Sequence, residues 1–520
     1  MRKMTKSKKN EQNKVDNSLR LLAKTSIIVL IGLFLSKAFT YLYRIIVARY
    51  FGPEVYGLFS LAIMVSGFFI LVASLGFIDG LLRYIPIYRG KNQTNKISYV
   101  LRYSYIILFC SGLIFGAILF FSSEFISNTI FHNSDLTIYL KVFSFIVPIS
   151  IFSSVFLAVI RTYEKINWYS FIQNILQNFI KILLLSILIF LGFKSNAIII
   201  SYFIGILSML IVSYLYCKYK LPEIFIKPKL TKRSKDQVKR ELFLYSWPII
   251  FLSFVSTFMY WIDSFLIGFF KSVTDVGFYN AAIPIAGLFS IASEIFQQLF
   301  FPLITKEFSK KNLQLIKEIS KQVGKWIFII NLPLFLLVFI FPELIIKILF
   351  GNDYLVAANA LRFLSFGALF TSVSVLSINL LSMIGKSKLI LINSVIFSII
   401  NLILNILLIP KYGIAGSAFA TMLSTVSLGA IFMYQSKKYV LIVPLKRKML
   451  RILLVSILPL FFIIMVNHFF VLNMVKLAIT GIIYLLIYIT LIFITKCLDD
   501  NDLKIFFSFK SKIFNKFIKN

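Results

Sequence analysis

Long hydrophobic stretches follow one another along almost the whole chain, with only short charged segments between them. Each stretch is roughly long enough to cross a bilayer, which takes about 20 apolar residues in a helix. Lipid offers no hydrogen-bond partner to backbone N–H and C=O groups, so such stretches must be helical. The composition agrees, because 59% of the residues are hydrophobic and only 14% are charged. We therefore predict an all-α integral membrane protein with about 14 transmembrane helices. The predicted spans are 21–48, 56–82, 98–121, 138–160, 170–192, 197–217, 242–268, 277–304, 325–347, 357–384, 388–410, 413–434, 450–470 and 474–496.

The 55 Lys and Arg residues sort by loop along the chain. Counted with the adjoining ends of the spans, the segment before the first span and those after each even-numbered span carry 44 of them, whereas the intervening segments carry 8; Lys37, Lys181 and Arg362 lie inside spans. Lys and Arg close to a span resist translocation and stay in the cytoplasm. We therefore predict a multi-pass protein of the plasma or inner membrane with both termini cytoplasmic. Because the basic residues are spread over short loops and no soluble basic domain exists, no nucleic-acid partner is predicted.

The two ends of the chain are both basic, but they differ in aromatic content. Residues 1–20 form a polar cytoplasmic leader that we predict to be disordered. Residues 497–520 mix Phe with Lys, which is typical of an interfacial helix on anionic membrane lipids and equally of a frayed basic tail. The 3 cysteines and 2 histidines lie far apart, so no disulfide framework, metal site or cofactor is predicted.

An internal repeat divides the chain into two halves. A shift of 220 residues places the segment 56–63 on 276–283 and Gly67 on Gly287. A weaker match places the polar residues of span 5 over those of span 11. Both copies have the same orientation, and parallel repeats commonly hold a transport site at their interface. We predict two six-helix bundles related by a pseudo-twofold axis, plus two extra C-terminal helices. The predicted boundaries are 21–217 for the N-terminal bundle, 218–241 for a cytoplasmic linker, 242–434 for the C-terminal bundle and 435–496 for helices 13 and 14.

Enzyme activity is not predicted, because the loops are too short to carry a catalytic site. The longest predicted extracytoplasmic loop, 122–137, has only Glu124, His132 and Asp135 as ionisable residues. A membrane-bound transferase would need carboxylate or histidine chemistry at the membrane surface. The chain is therefore expected to transport rather than to catalyse.

Polar and ionisable side chains occur inside several predicted spans, where they usually face the protein interior or a water-filled cavity. Helical spacing groups them into one polar stripe in span 1 and another in span 5. The stripes consist of Lys37, Tyr41, Arg44, Asn174, Gln177, Asn178 and Lys181. Several cations with few carboxylates beside them favour an anionic cargo group, such as phosphate or pyrophosphate. We predict that these residues bind substrate; the alternative is that they hydrogen-bond neighbouring helices to one another. Arg44 lies close to the outer interface, so snorkelling as an interfacial anchor is a further alternative for it.

Three carboxylates within the predicted spans are candidates for binding a coupling proton or Na⁺. They are Asp79, Asp263 and Glu294. Asp79 lies four residues before Arg83 near the cytoplasmic end of span 2, so a structural ion pair or snorkelling of Arg83 is the alternative there.

The segment 48–61, ARYFGPEVYGLFSL, resembles the polysaccharide-biosynthesis flippases. These are the O-antigen and teichuronic-type exporters of the multidrug/oligosaccharidyl-lipid/polysaccharide superfamily. The segments 73–77, 82–91, 401–405 and 409–416 are also similar to that family. The resemblance implies two six-helix bundles around a central cavity that alternates between inward-open and outward-open.

The implied cargo is a sugar chain on a polyprenyl (pyro)phosphate carrier, moved from the cytoplasmic to the outer leaflet for cell-surface polysaccharide biosynthesis. The implied partners are this lipid-linked oligosaccharide, membrane lipids, a polysaccharide polymerase and glycosyltransferases. Relatives that flip the peptidoglycan precursor use basic residues in the first two spans for the pyrophosphate, and Lys37 and Arg44 occupy the comparable part of span 1. The alternatives are a cation-coupled multidrug exporter of the same superfamily and a peptidoglycan-precursor lipid flippase.

Overall fold

The computed structural model describes residues 2–469, 474–495 and 497, and for 2–33 it describes the backbone alone. Every regular element in these residues is a helix, which confirms the predicted all-α class. In chain order the α-helices are α1 (Arg2–Ala73), α2 (Phe77–Gly90), α3 (Thr94–Phe125), α4 (Leu136–Thr162), α5 (Ile166–Ser170), α6 (Gln177–Phe190), α7 (Asn196–Lys220), α8 (Lys232–Phe270), α9 (Val273–Gly287), α10 (Phe289–Ser309), α11 (Leu313–Ile340), α12 (Pro342–Leu349), α13 (Ala358–Met383), α14 (Ser387–Val440), α15 (Lys448–Phe469) and α16 (Met474–Ile494). Turns of π-helix cover Ile126–Ile130 and Phe171–Leu176, and turns of 3-10 helix cover Pro222–Phe225 and Asn352–Ala357.

Nine helical segments in the described part of the chain are long and apolar enough to cross a membrane, or ten if the bent pair α9 and α10 forms one span. Two of them are long enough for two crossings. The segment Phe34–Ala73 of α1 has 40 residues and α14 has 54, which correspond to roughly 60 and 80 Å of helix against a hydrocarbon thickness of about 30 Å. These helices confirm a multi-pass membrane protein. The number fourteen is compatible with them and stays a prediction.

Each of the two long helices is broken at one glycine. Gly52 has φ 83° and ψ 175°, and Gly413 has φ 56° and ψ −138°. Positive φ is accessible to glycine at low cost because it lacks a Cβ. Pro53 follows the first break and has no N–H to continue the helical hydrogen bonds. The connections between spans 1 and 2 and between spans 11 and 12 are therefore sharp breaks rather than loops.

Two predicted span boundaries are wrong. Span 2 was expected to run over 56–82, but α1 ends at Ala73 and α2 begins after a turn in which Leu75 and Gly76 have positive φ. A Cβ on Gly76 would lie 2.5 Å from the Ser246 carbonyl oxygen, so this turn allows the chain to approach α8 closely. Span 9 was expected to end at 347, but α11 ends at Ile340 and Pro342 starts the separate helix α12.

The leader at residues 1–20 also differs from the prediction of disorder, because α1 is helical from Arg2 onward. Residues 2–20 contain no Gly or Pro, and several are Lys, Gln, Glu, Leu or Arg, which have good helix propensity. The prediction for the tail, 497–520, lies outside the described residues except for Cys497.

The contacts divide the chain into two compact units. The first unit comprises Met1–Ala281 with Asn405–Ser417, and the second comprises Ala282–Leu404 with Ala418–Asn520. In the first unit, α4 packs against α1, α3 and α7, and α8 packs against α1 and α2. In the second unit, α10, α11 and α13 pack together around buried residues that include Ile304 and Leu376. The boundary lies at Ala281 in α9 rather than in the linker 218–241, because α8 belongs to the first unit.

Candidate substrate and cation sites

The polar stripe predicted for span 1 lies on one face of α1. Lys37, Tyr41 and Arg44 have the spacing i, i+4, i+7 in an unbroken stretch of helix, and all three are half-buried. Tyr43, on a different face, is buried, and its hydroxyl donates to the Ile198 carbonyl of α7 at 3.2 Å. The three residues of the stripe therefore lie at the edge of the packed interior of the first unit and remain partly accessible.

The Arg44 guanidinium lies among tyrosine hydroxyls. It hydrogen-bonds the Tyr56 hydroxyl, and the phenols of Tyr41, Tyr202 and Tyr260 also act on its charge. In the described part of the chain, the groups that influence the charge of Arg44 include no carboxylate. A guanidinium offers five N–H donors, and neutral phenols add O–H donors. These five residues, which we call the Arg44 site, are chemically suited to hold a phosphate group.

The break at Gly52 brings Arg44 and Tyr56 together. In a straight helix, residues twelve apart would be separated by about 18 Å along the axis, yet these two side chains share a hydrogen bond. Tyr56 is fully buried, and its hydroxyl also donates to the Asn280 carbonyl of α9 at 3.1 Å. Tyr56 therefore holds the guanidinium of one half of α1 against the other half.

Lys181 is buried against Tyr202, with only 6% of its surface exposed. Its Nζ lies 4.0 Å from the centroid of the Tyr202 ring, which is a cation–π contact. A Cβ on Gly205 would lie 2.3 Å from Lys181 Cγ, so this glycine of α7 leaves room for the lysine stem. Tyr202 also interacts electrostatically with Arg44. One phenol thus connects the two predicted cations of spans 1 and 5.

The polar stripe of span 5 is interrupted by the π-helical turn Phe171–Leu176. Asn174, inside the turn, donates to Ser170 Oγ at 3.2 Å. Asn178 donates to the Asn174 carbonyl at 3.1 Å and to Ser36 Oγ of α1 at 3.4 Å, and Gln177 bonds within its own helix. Among these bonds only that of Asn178 to Ser36 joins two helices, and contact of the amides with substrate stays a prediction.

Asp263, one of the three candidate coupling residues, accepts hydrogen bonds from two other helices. Its Oδ2 accepts a hydrogen bond from the Tyr279 hydroxyl at 2.7 Å, and its Oδ1 accepts from Asn405 Nδ2 at 3.0 Å. Asn405 Oδ1 accepts in turn from Ser417 Oγ at 2.7 Å, and both of these residues are fully buried. Carboxylate, amide and hydroxyl oxygens are the ligands that hard cations prefer. These four residues form the Asp263 site.

Two glycines meet close to these sites. A Cβ on Gly57 would lie 1.9 Å from the Val273 carbonyl oxygen, and a Cβ on Gly277 would lie 1.9 Å from the Pro53 carbonyl oxygen. The two contacts are reciprocal, because 53 and 57 become 273 and 277 on the 220-residue shift of the repeat. We call these four residues the glycine seam. At this seam the start of α9 touches α1 directly after its break.

The other two candidate carboxylates have simpler surroundings. Asp79 is exposed in the first turn of α2, where a negative charge favours the helix start. The ion pair considered between Asp79 and Arg83 is absent from the described contacts, because the Arg83 guanidinium lies 4.2 Å from the centroid of the Tyr245 ring. Glu294, in the second unit, is half-buried and accepts from Ser290 Oγ at 2.7 Å.

Sequence reasoning missed the tyrosines of the Arg44 site other than Tyr41. Tyr202 and Tyr56 are isolated polar rings in apolar stretches, so no spacing marks them. Tyr260 was detectable, because Ser253, Ser256, Tyr260 and Asp263 follow the spacing i, i+3, i+7, i+10 of one helix face.

Comparison with known proteins places these sites in a family. The model of the family described as polysaccharide biosynthesis protein matches residues 21–308, and the MatE model matches residues 248–407. An uncharacterized membrane protein of Methanocaldococcus jannaschii is 26% identical over 91% of this chain and 96% of its own length. A probable low-salt glycan biosynthesis flippase of Haloferax volcanii is 29% identical over 37% of this chain and 41% of its own. A putative O-antigen transporter of Shigella flexneri is 23% identical over 72% and 87%, respectively.

Solved structures show the same fold. The lipid II flippase MurJ in an inward closed conformation has a TM-score of 0.69 with 20% identity, covering 89% of this chain and 98% of its own. An inward-facing multidrug resistance MATE family transporter has a TM-score of 0.59 with 15% identity, covering 80% and 98%. The family model covers more than half of the chain and includes both the Arg44 site and Asp263. The chain belongs to the polysaccharide biosynthesis protein family, a family of flippases within the multidrug/oligosaccharidyl-lipid/polysaccharide superfamily.

Proposed function

We propose that this protein is a flippase that moves a polyprenyl-(pyro)phosphate-linked oligosaccharide from the cytoplasmic to the outer leaflet by alternating access. The Arg44 site carries the proposal, since in the described part of the chain the groups that act on the charge of this cation are phenols and include no carboxylate. An anionic head group would supply the counter-charge. The flippase of H. volcanii and the O-antigen transporter of S. flexneri support the same class of cargo. The protein acts as a transporter and not as an enzyme.

The path follows from the chemistry of the cargo. The glycan and its phosphates need a polar route, whereas the polyprenyl tail is stable in the hydrocarbon core. Lys37 and Tyr41 extend the polar face of α1 from Arg44 toward the N-terminus, so they would meet the head group before Arg44 does. Lys181 is buried behind the Tyr202 ring contact and would add positive potential to the site through a low-dielectric interior. Asn174, Gln177 and Asn178 would then support α6 beside α1.

The charge of the site also separates the alternatives. A cationic drug would face the positive charge of Arg44, which is a repulsive element against that cargo. The peptidoglycan precursor shares the polyprenyl diphosphate head group, so the Arg44 site suits it equally and only the glycan distinguishes the two cargoes. A polysaccharide polymerase and glycosyltransferases acting on the same glycan are the proposed functional partners. The proposed location is the plasma membrane, with both termini cytoplasmic.

Asp263 is the proposed coupling residue, in preference to Asp79 and Glu294. Asp263 lies at membrane depth with oxygen-bearing neighbours on α9 and α14. Asp79 is exposed at a helix start, where its charge already has a structural role. Binding of Na⁺ or a proton at Asp263 would change the hydrogen bonds that join α8 to α9 and α14. The ion would thereby be linked to the packing of these helices.

The test is a deletion strain complemented with variants. Loss of the protein should remove a surface glycan and cause lipid-linked oligosaccharide to accumulate on the cytoplasmic side. Arg44→Gln should fail to restore export at normal expression, whereas Arg44→Lys, which keeps the charge, should restore part of it. Arg102→Gln is the matched control, because Arg102 is exposed on α3 away from the Arg44 site.

Two results would overturn the proposal. Unchanged surface glycan together with raised sensitivity to cationic dyes in the deletion strain would assign the protein to drug export. Full export by Arg44→Gln at normal expression would remove the head-group role of Arg44. Accumulation of the peptidoglycan precursor, in place of another lipid-linked glycan, would identify the second alternative.

A further inference from the structure

A polar, accessible face runs along the middle of α8. Ser253 is half-buried, Ser256 is exposed and the Tyr260 side chain is 64% exposed. A different face of the same helix packs against α1, since the rings of Phe254 and Phe258 lie 6.1 and 6.3 Å from that of Phe68. Polar groups of a transmembrane helix are expected to face water or protein rather than lipid. We therefore assign the open face of α8 to a water-filled part of the transport path.

Tyr260 joins this open face to the Arg44 site. Its phenol interacts electrostatically with both Arg44 and Tyr56. The rest of the side chain is accessible, and the ring of Trp261 stands nearly perpendicular to it at 5.0 Å between centroids. The Tyr56 hydroxyl donates to the Asn280 carbonyl at 3.1 Å, and Asn280 Nδ2 donates to Ser264 Oγ at 3.0 Å, one turn along α8 from Tyr260. The cation and the open aromatic ring therefore belong to one cluster. A group bound to the guanidinium would place whatever is attached to it beside the tyrosine ring.

We propose that Tyr260 is a specificity-determining residue on which the first sugar of the lipid-linked oligosaccharide stacks while Arg44 holds the adjacent phosphate. One face of a pyranose ring carries several C–H bonds, and these pack favourably on the electron-rich face of an aromatic ring. A phosphate requires a cation, and the phosphate of a glycosyl lipid is bonded directly to the first sugar. The two neighbouring groups in the ligand thus match two neighbouring groups in the protein. This inference rests on the proposed flippase function.

The experiment measures binding of two probes to the full-length protein in nanodiscs. The probes are polyprenyl diphosphate and polyprenyl-diphosphate-N-acetylglucosamine, which differ only in the sugar that Tyr260 would contact. Tyr260→Leu should weaken binding of the glycosylated probe about fivefold, as expected for loss of one aromatic contact. The same variant should leave binding of polyprenyl diphosphate within about twofold of wild type. Arg44→Gln should weaken binding of both probes.

Conservative variants separate the ring from the hydroxyl. Tyr260→Trp should retain preference for the glycosylated probe, because it keeps a flat aromatic surface, and Tyr260→Phe should retain most of it. Equal losses for both probes in Tyr260→Leu would overturn the stacking role and leave Tyr260 as a structural neighbour of Arg44. Absence of binding of either probe to wild type would instead contradict the flippase proposal itself.

Discussion

Replacing Gly57 with alanine should weaken the glycine seam and favour the conformation in which α1 and α9 separate. The new Cβ would lie 1.9 Å from the Val273 carbonyl oxygen and 3.1 Å from the Gly277 nitrogen, where ordinary contacts are 3.4–4 Å. Both atoms belong to the helix backbone, so no rotation of a side chain can relieve the overlap. The two segments must move apart by about 1.5 Å.

The size of the effect follows from the cost of overpacking. Adding a methyl group to a tightly packed contact costs about 1–3 kcal/mol. This cost applies only while the seam is closed, so it shifts the equilibrium toward the open seam by roughly 5- to 150-fold. Gly277→Ala should have a similar effect, because its Cβ would lie 1.9 Å from the Pro53 carbonyl oxygen. The double variant should add less than the sum, since both methyl groups open one contact.

A buried cysteine can report the opening. Val276 is fully buried in α9, so a Val276→Cys reporter in a background without Cys110, Cys217 and Cys497 should react slowly with a membrane-impermeant maleimide. Gly57→Ala should raise that rate by the factor given above. Gly67→Ala is the matched control on the same helix, because a Cβ there has no heavy atom within 4 Å. Equal labelling rates for Gly57→Ala and Gly67→Ala would refute the argument that the glycine seam shields Val276 from the reagent.

Three further predictions concern topology, cargo binding and coupling. Cysteines replacing the exposed residues Lys232 and Leu441 should be protected from an impermeant thiol reagent in intact cells, whereas one at Ser134 should label; labelling of all three would contradict the charge-based topology. Lys37→Gln and Lys181→Gln should express normally but lose most glycan export, because a phosphate is held by the charge of a lysine rather than by hydrogen bonding alone. The corresponding Arg variants should retain part of the export. Wild-type export by both Gln variants would indicate that the two lysines only hydrogen-bond neighbouring helices. Asp263→Asn keeps the size of the side chain but removes its charge, so export should lose its dependence on a Na⁺ or proton gradient. Unchanged ion dependence of export in vesicles would show that Asp263 is not the coupling residue.

The positions of most helices follow directly from the sequence, because a long apolar segment in a membrane must be helical to satisfy its backbone hydrogen bonds. The breaks at Gly52 and Gly413 coincide with segments 48–61 and 409–416, which carried the family resemblance. Other details depend on tertiary packing. The turn before α2 exists because Gly76 approaches the Ser246 backbone, a contact between residues 170 positions apart. The π-helical turn Phe171–Leu176 could not be predicted from the spacing of polar residues, because that spacing was interpreted for a regular α-helix.

The same contrast applies to the sites. Charged residues inside apolar segments are visible in any sequence, so Lys37, Arg44, Lys181 and Asp263 were detectable as candidates. Their partners were not, because the Arg44 site combines residues of α1, α7 and α8 that are distant in the chain. Tyrosine is frequent here, with 25 residues, so its presence in a span carries little information before the fold is known.

The two copies of the repeat differ in chemistry at the position next to Arg44 in the chain. The 220-residue shift that relates the two sides of the glycine seam also places Tyr43 on Asp263. Tyr43 packs its ring 5.7 Å from that of Phe59, and Asp263 accepts a hydrogen bond at 2.7 Å from Tyr279, the counterpart of Phe59.

The position is therefore occupied by a neutral phenol in one copy and by a carboxylate in the other. A carboxylate is what a coupling cation requires, so we propose that only the copy with Asp263 binds the ion. Exchanging the two, with Tyr43→Asp and Asp263→Tyr in one variant, should abolish export even if the fold is kept, because the Asp263 site would lose its carboxylate. Export at the wild-type level by that variant, at normal expression, would show that export does not require a carboxylate at position 263.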